Sequence, residues 1–254
     1  MRLLFIGDIV STPGREAVKK YLPSLKTENN IDVVLANAEN VTYGRGITSA
    51  NLKELQRYGV DYFTGGDHVF WQKGTTEIID SEPIVIPANY SLMVPGNRSY
   101  VLDLGAKGSL LVVNLLGRTF INEKLDDPFK VADKILDEYP DIKYKFIDFH
   151  AEATSEKYAL AHYLDGRVDV IAGTHTHVPT CDQMILPKGT MFISDAGMTG
   201  VIDSVLGVKK EIIIDLYRSG LNQRFEWVES GATAFRSVLF DLTTRSISRL
   251  DFLF

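Results

Sequence analysis

The chain has 254 residues, 45% of them hydrophobic and 24% charged, with a formal net charge of −6. That length and balance suit a globular α/β protein with a sizeable core, and no basic block is present of the kind that neutralises duplex nucleic acid. The charge leaves room for a small phosphorylated ligand held through a metal, while a single cysteine, Cys181, excludes an intrachain disulfide.

Met1–Val10 is apolar but short and interrupted by Asp8, and it lacks the basic start and unbroken apolar run of a signal peptide. No stretch approaches the roughly 20 apolar residues that span a bilayer, so no membrane partner and a cytoplasmic setting are expected. Within that segment, Arg2–Gly7 reads as a buried central strand. Ser11 or Thr12 caps the next helix, with Pro13 at its first position and Ala17, Val18, Tyr21, Leu22 and Leu25 along its apolar face. Pro23 should kink or end that helix. Ile31–Ala36 is a second buried strand running into Asn37-Ala38-Glu39-Asn40. Thr48 caps a helix that carries Leu52, Leu55 and Tyr58 and closes at Gly59. Val60–Thr64 is a third strand, ending in Gly65-Gly66-Asp67-His68.

Ile84–Ile86, Tyr100–Leu104 and Leu110–Asn114 read as strands, with turns at Pro95-Gly96-Asn97 and Gly105–Gly108. Asp127 caps a helix begun by Pro128 and barred by Pro140. Tyr144–Phe149 is a strand ending at His150, and Thr154 or Ser155 caps a helix to Leu164 that Asp165-Gly166 breaks. Val168, Val170 and Ile171 then lead to Gly173 and to His175 and His177, and Met191–Ser194 is the next strand. Beyond it, Glu211–Leu216, Arg224–Val228, Ala234–Leu242 and Ser246–Phe254 read as strand-like runs. No repeat, linker or low-complexity tract divides residues 1–254, so a single α/β domain is expected.

Five of these strands leave a metal-ligating side chain at or just past their C-terminal ends: Asp8, Glu39 with Asn40, Asp67 with His68, His150, and His175 with His177. In α/β sheets ligands bind beyond the carboxyl ends of strands, so residues far apart in sequence share one rim. In an extended segment residues two apart face the same way, which aims His175 and His177 at one point. A surface loop that holds two histidines is the plainer alternative. Of the five histidines only His162 falls outside this set, as a packed or surface residue of the helix before Leu164. Asp8, Glu39, Asp67, His150, His175 and His177 outnumber the four ligands of a tetrahedral site and point to two cations, with Asn40 as a seventh candidate. Carboxylate and imidazole without thiolate favour iron, manganese or zinc. Cys181, close to His177 in sequence, is a ligand, a reactive thiol or, more commonly, buried filler. His68 diverges from Asp67 and suits protonation of a departing oxygen, as an imidazole near its ordinary pKa. The alternative for His68 is a hydrogen-bond donor that supports the ligands.

These residues in this order resemble a calcineurin-like metallophosphoesterase: Gly7-Asp8, Asn37-Ala38-Glu39-Asn40, Gly66-Asp67-His68, His150, and Gly173-Thr174-His175-Thr176-His177. The segments 5–10, 148–157 (Asp-Phe-His-Ala-Glu-Ala-Thr-Ser-Glu-Lys), 173–178 and 197–200 narrow the resemblance to the YmdB-type branch of bacterial cytoplasmic phosphodiesterases. The resemblance implies a two-sheet αββα sandwich and a di-metal centre of iron or manganese. It further implies hydrolysis of phosphodiesters such as 2′,3′-cyclic nucleotides, with 3′,5′-cyclic nucleotides as a further class, and a homo-oligomer (dimer or tetramer). By motif it assigns Asp8, Glu39, Asn40 and His177 to one ion, Glu39, Asp67, His150 and His175 to the other, and His68 to proton donation.

Two positions depart from the wider family. Val10 stands where general phosphoesterases carry the histidine of Asp-x-His, a change this branch shares, which leaves Asp8 to bind without it. Asp67 stands where the family has asparagine, and Val69-Phe70-Trp71-Gln72 after it also differ. An amide offers donors to phosphate, whereas a carboxylate only accepts and adds negative charge. Asp67 should therefore tighten metal binding while repelling an anionic substrate. A metal-dependent phosphodiesterase is the leading expectation. The alternative is a regulatory protein that binds a nucleotide or partner and hydrolyses weakly; a di-iron redox enzyme is disfavoured for want of a four-helix ligand arrangement.

Overall fold

In the computed structural model, which describes residues 1–254, strand and helix alternate from the start. The first run is β1 (Arg2–Ile6), α1 (Ser11–Glu28), β2 (Val33–Asn37), α2 (Ser49–Tyr58), β3 (Tyr62–Thr64), the single-turn α3 (Thr75–Ile78) and β4 (Ile84–Val85). The second is β5 (Ser99–Asp103), β6 (Ser109–Leu116), α4 (Pro128–Glu138), β7 (Tyr144–His150), α5 (Thr154–Leu164), β8 (Val170–Thr174), β9 (Met184–Ile185) and β10 (Met191–Ile193). The tail supplies β11 (Gly200–Val201), α6 (Lys210–Ser219), β12 (Thr233–Phe235), β13 (Ser237–Asp241), β14 (Ser246–Arg249) and β15 (Phe252–Leu253).

One six-stranded sheet has the order β14-β13-β1-β2-β3-β4 and the other β5-β6-β7-β8-β10-β9, while β11-β12-β15 form a small third sheet. β1 to β4 pair in parallel, as do β6, β7, β8 and β10. Parallel strands are covered on both faces, which is why Leu3–Ile6 and Val33–Ala36 read as unbroken apolar runs. Leu4, Ile6 and Val34 pack outward on Ala17, Val18 and Leu22 of α1 and Leu52 of α2. Leu3, Phe5 and Leu35 face the other way onto Val112, Phe146 and Val170 of the second sheet, with the Phe5 and Phe146 rings 5.0 Å apart. Leu111, Ile147 and Ile171 then pack on Ile135 of α4 and Leu160 and Leu164 of α5. Helix, sheet, sheet and helix are thus stacked through three apolar layers, the αββα sandwich the resemblance implies. No helix is long and apolar enough to cross a membrane.

Several local expectations need correction. α1 runs through Pro23 to Glu28, because Pro23 lies on the exposed side while Leu22 and Leu25 keep the helix docked. Neither Ser11 nor Thr12 caps α1, whose start is held by backbone bonds instead: Val10 N to Thr199 O at 2.9 Å and Ser11 N to Asn40 O at 3.0 Å. α5 has Ala153 at its cap with no side-chain bond, in place of Thr154 or Ser155. Thr48 and Asp127 do cap, accepting from Asn51 N and Phe129 N. Glu211–Leu216 belongs to the helix α6: its β-branched Ile212–Ile214 run looks strand-like, yet only Ile213 is buried and Gly220 closes the turn at φ 69°. Arg224–Val228 forms no strand beyond a single bridge from Trp227 to Val208. The two last runs each divide between sheets, Ala234–Leu242 into β12 and β13 and Ser246–Phe254 into β14 and β15.

Candidate metal centre

The C-terminal ends of β1, β2 and β3 in one sheet and of β7 and β8 in the other meet at one rim. Asp67 Oδ1 lies 2.9 Å from His150 Nε2, which is 3.0 Å from His175 Nδ1 and 3.4 Å from Glu39 Oε1. Asn40 Nδ2 lies 2.8 Å from Glu39 Oε1 and 3.3 Å from His177 Nε2, and that nitrogen is 3.8 Å from Asp8 Oδ1. All seven candidate ligands are brought together, and His68 stands beside them with Nε2 3.4 Å from Asp67 Oδ2. Two groups offer ligand atoms within 4.8 Å of one another: Asp67 with His150 and His175, and Asp8 with Glu39 and His150. Gly66 makes the approach possible, since a Cβ there would sit 2.1 Å from Glu39 Oε2 and 2.7 Å from His150 Cε1.

His175 and His177 converge by a different route from the one expected. β8 ends at Thr174, and the two histidines lie in bends at φ 100° and 63°, so strand alternation does not aim them. Such backbone costs on the order of 1–3 kcal/mol per residue and persists where its surroundings impose it. Here Asp195, just past β10, imposes it: Oδ2 accepts from Thr176 N at 3.1 Å and Oγ1 at 2.8 Å, and pairs with the buried Lys157 at 2.9 Å.

Partners on the outer side of each ring decide which nitrogen faces inward. His150 Nδ1 lies 2.8 Å from Thr174 Oγ1, whose own proton goes to Asp148 Oδ1 at 2.6 Å, so Nδ1 donates and Nε2 is bare. His177 Nδ1 donates to the Leu206 carbonyl at 3.1 Å, and His175 Nε2 faces Glu152 Oε2 at 3.2 Å. The inward nitrogens thus confront carboxylate oxygens without a proton between them, and buried Asp8 Oδ1 has no hydrogen-bond partner. Lone pairs aimed at one another repel until a cation lies among them, so this donor set fits divalent metal.

The electrostatics agree. Burial pushes the Asp8 carboxyl up to about 7, with the charge of Asp195 adding to the rise. Burial likewise drives Glu39 well above the usual carboxylate range, reinforced by Asp67 and Asp8. It brings His150 down to about 3. For Asp67 the neighbouring His150 and His175 rings outweigh burial and hold the carboxyl low. The cluster is short of positive charge. His68 departs from the near-ordinary pKa expected of it: burial lowers it to about 4, despite the nearby Asp67. Its Nδ1 is 2.9 Å from Asn40 Oδ1, which turns Nε2 toward Asp67, and the Trp71 ring packs 4.7 Å away.

The buried supports of the centre do not stand out in the sequence. Asp148, pushed up to about 7 by burial, accepts from Thr64, Thr174 and Asn37. Its one signal is its place two residues before His150 on the same strand. Asp195 follows β10 as Asp8 follows β1, and that shared place past a strand end is the signal that could have found it. Cys181 is exposed, not buried filler, and His162 is a surface residue; neither joins the metal groups. A cavity of about 550 Å³ opens over the centre, bounded by Glu39, His68, His175 and His177 and walled by Leu206 and Trp227. That volume is in the range of small-molecule sites.

Sequence comparison matches residues 4–251 to a family described as YmdB-like protein. A 2′,3′-cyclic-nucleotide 2′-phosphodiesterase of Bacillus subtilis (strain 168) is 45% identical over 244 residues, covering 95% of this chain and 91% of that protein. The crystal structure of a hypothetical protein from Thermus thermophilus, 39% identical, superposes with a TM-score of 0.94 over 100% of this chain and 99% of its own. A protein from Mycoplasma pneumoniae described as a novel phosphatase is 33% identical, with a TM-score of 0.89 over 100% of this chain and 93% of its own.

Proposed function

The chain belongs to the YmdB-like family, and from that premise we propose that it is a phosphoric diester hydrolase acting on 2′,3′-cyclic nucleotides. The observation that carries this reading is the meeting of bare imidazole nitrogens and buried carboxylate oxygens at one rim, under a cavity of nucleotide scale. Asp8, Glu39, Asn40 and His177 would hold one cation, and Glu39, Asp67, His150 and His175 the other, iron or manganese as the family resemblance implies, with zinc also within the chemistry of the donors. Such cations, when bound, supply Lewis acidity at the phosphoryl oxygens and lower the pKa of water beside phosphorus.

The chain's own residues then have distinct tasks. Asp195 and Lys157 keep the bend of His175 and His177 in place, and Thr174 and Asp148 fix the tautomer of His150. Leu206 and Trp227 give the cavity an apolar wall. In the reaction the oxygen of water bonds to phosphorus while one of the two ring P–O bonds breaks, and the departing ribose oxygen takes a proton. His68 Nε2, at the mouth of the centre, takes up the proton that the attacking water releases and passes it to that oxygen. Burial keeps His68 neutral in the free site, and an anionic diester beside it raises its affinity for that proton.

The test pairs cation analysis with a cyclic-nucleotide screen of the purified protein and its His68→Ala variant. The wild type should carry two cations per chain and hydrolyse 2′,3′-cyclic nucleotides. His68→Ala should keep both cations and lose roughly 10²–10⁴-fold in kcat. A variant with undiminished kcat removes His68 from proton transfer, and a wild type inert toward every cyclic nucleotide removes the activity itself.

A further inference from the structure

A second cavity of about 550 Å³ adjoins the one over the metal centre and shares Arg45, Phe225 and Trp227 with it. Tyr43, Trp71 and Arg224 complete its working surface, and none of the candidate ligands reaches it. Its walls are firmly built. Trp227 lies flat on Gly44, where a Cβ would meet the indole ring at 2.0 Å. Gln72 Nε2 donates to the Arg45 carbonyl at 2.6 Å and ties residues 42–46 to the segment that follows His68. The Arg45 guanidinium carbon stands 4.4 Å from the Trp71 ring centroid, 5.3 Å from Phe225 and 5.8 Å from Trp227, and its buried Nε has no hydrogen-bond partner. Trp71 and Tyr43 are left 52% and 74% exposed.

Aromatic faces beside guanidinium groups are how proteins hold single-stranded nucleic acid: bases stack on the rings and cations take the phosphates. A 2′,3′-cyclic phosphate engages both lower hydroxyl oxygens of its ribose, so a strand bearing one can continue only through O5′. A cyclic mononucleotide needs a single compartment. A strand that ends in the cyclic phosphate must put its preceding nucleotide somewhere beyond the first, and the adjoining cavity is of the same size. We propose that this second cavity is a subsite for the nucleotide 5′ of the cyclic phosphate, so that short RNA fragments ending in a 2′,3′-cyclic phosphate are better substrates than the free cyclic mononucleotide. The inference rests on the phosphodiesterase reading. With two arginines in the groove and a net charge of −6, the reach is limited to short single strands.

The experiment measures kcat/KM of the metal-loaded enzyme for 2′,3′-cyclic AMP and for the dinucleotide ApA ending in a 2′,3′-cyclic phosphate. It uses the wild type, Tyr43→Asn and Arg224→Ala. Asparagine is chosen because Tyr43 sits at φ 48°, a conformation asparagine tolerates. The dinucleotide should exceed the mononucleotide by roughly 5–150-fold, the effect of one stacked base, chiefly through KM. Each substitution should erase most of that advantage and leave cyclic AMP hydrolysis unchanged. Equal kcat/KM for the two substrates in the wild type overturns the subsite, as does an advantage that survives both substitutions. Hydrolysis of neither substrate overturns the phosphodiesterase reading and the subsite with it.

Discussion

The two lobes of the metal centre differ in how far water reaches them. Asp8, Glu39 and Asn40 are at most 1% exposed, whereas the side chains of Asp67, His175 and His68 are 13%, 21% and 23% exposed. The buried lobe rests on β1 and β2, interior strands of their sheet, with His177 reaching it from beyond β8, and the open lobe hangs on the segments after β3 and β8, with the buried His150 at the end of β7 as its floor. In the buried lobe Asp8 Oδ1 has no partner, while in the open lobe Asp67 Oδ1, His150 Nε2 and His175 Nδ1 lie within 3.3 Å of one another. Burial leaves the carboxylates of one lobe without compensating charge, and exposure leaves the other open to solvent. The first should keep its ion when the second has lost its own.

Glu39 is where the distinction breaks most completely. Oε1 faces His150 at 3.4 Å and Asn40 at 2.8 Å, and Oε2 accepts from His68 N at 2.9 Å, so one carboxylate serves both lobes. Glu39→Gln should lower both cation occupancies and cut hydrolysis by more than the roughly 100-fold that supporting partners of a metal command. Elemental analysis beside the rate decides it: two ions per chain at full activity would mean that the lobes do not share this residue.

What is legible in the sequence, and what is hidden, follows the same division. Asp8, Glu39, Asp67 and His150 can be found because parallel strands end on one rim, and unbroken apolar runs such as Leu3–Ile6 and Val33–Ala36 mark such strands. The bend that aims His175 and His177 is not readable, since it is imposed by Asp195 from another strand and by Lys157 from a helix. Trp227 and Phe225 reach the cavity from the tail, where three consecutive isoleucines mimic a strand inside α6 and no periodicity marks the loop after it. Contacts between distant segments leave no spacing signature.

Stripping the cations should expose the buried lobe through pH. Folded Asp8 holds its proton up to about 7 and the unfolded carboxyl releases it near 3.8. Between those values the unfolded carboxyl binds fewer protons, so the contribution of Asp8 to stability falls as pH rises from about 4 to about 7 and then levels. Asp148, also raised to about 7, acts in the same direction, whereas His150 and His68, lowered to about 3 and about 4, oppose it until their unfolded forms lose their protons near 6.5. The Tm of cation-free protein should therefore drop by on the order of 2 °C between pH 6.5 and 7.5. Asp8→Asn should remove its share of that slope, and added manganese should restore Tm by binding the folded state. A Tm that climbs over this interval would deny the uncompensated charge.

The smallest effect sharpens the comparison furthest. Asp67 lies wholly in the open lobe: Oδ1 is 2.9 Å from His150 Nε2, Oδ2 is 3.4 Å from His68 Nε2, and its carbonyl accepts from Trp71 Nε1 at 3.2 Å, which holds the backbone independently of the carboxylate. Asp67→Asn keeps the shape, removes one negative charge from the open lobe and supplies amide donors there. Cation affinity of the open lobe should fall by about tenfold, as expected when one stabilising partner is weakened. KM for an anionic cyclic nucleotide should fall with it, because the repelling charge is gone. The buried lobe, which Asp67 does not touch, should hold its ion, so limiting metal and dialysis should leave one cation per chain where the wild type keeps two. If both ions leave together, the two lobes bind as one unit, and the difference in burial does not govern how the centre is filled.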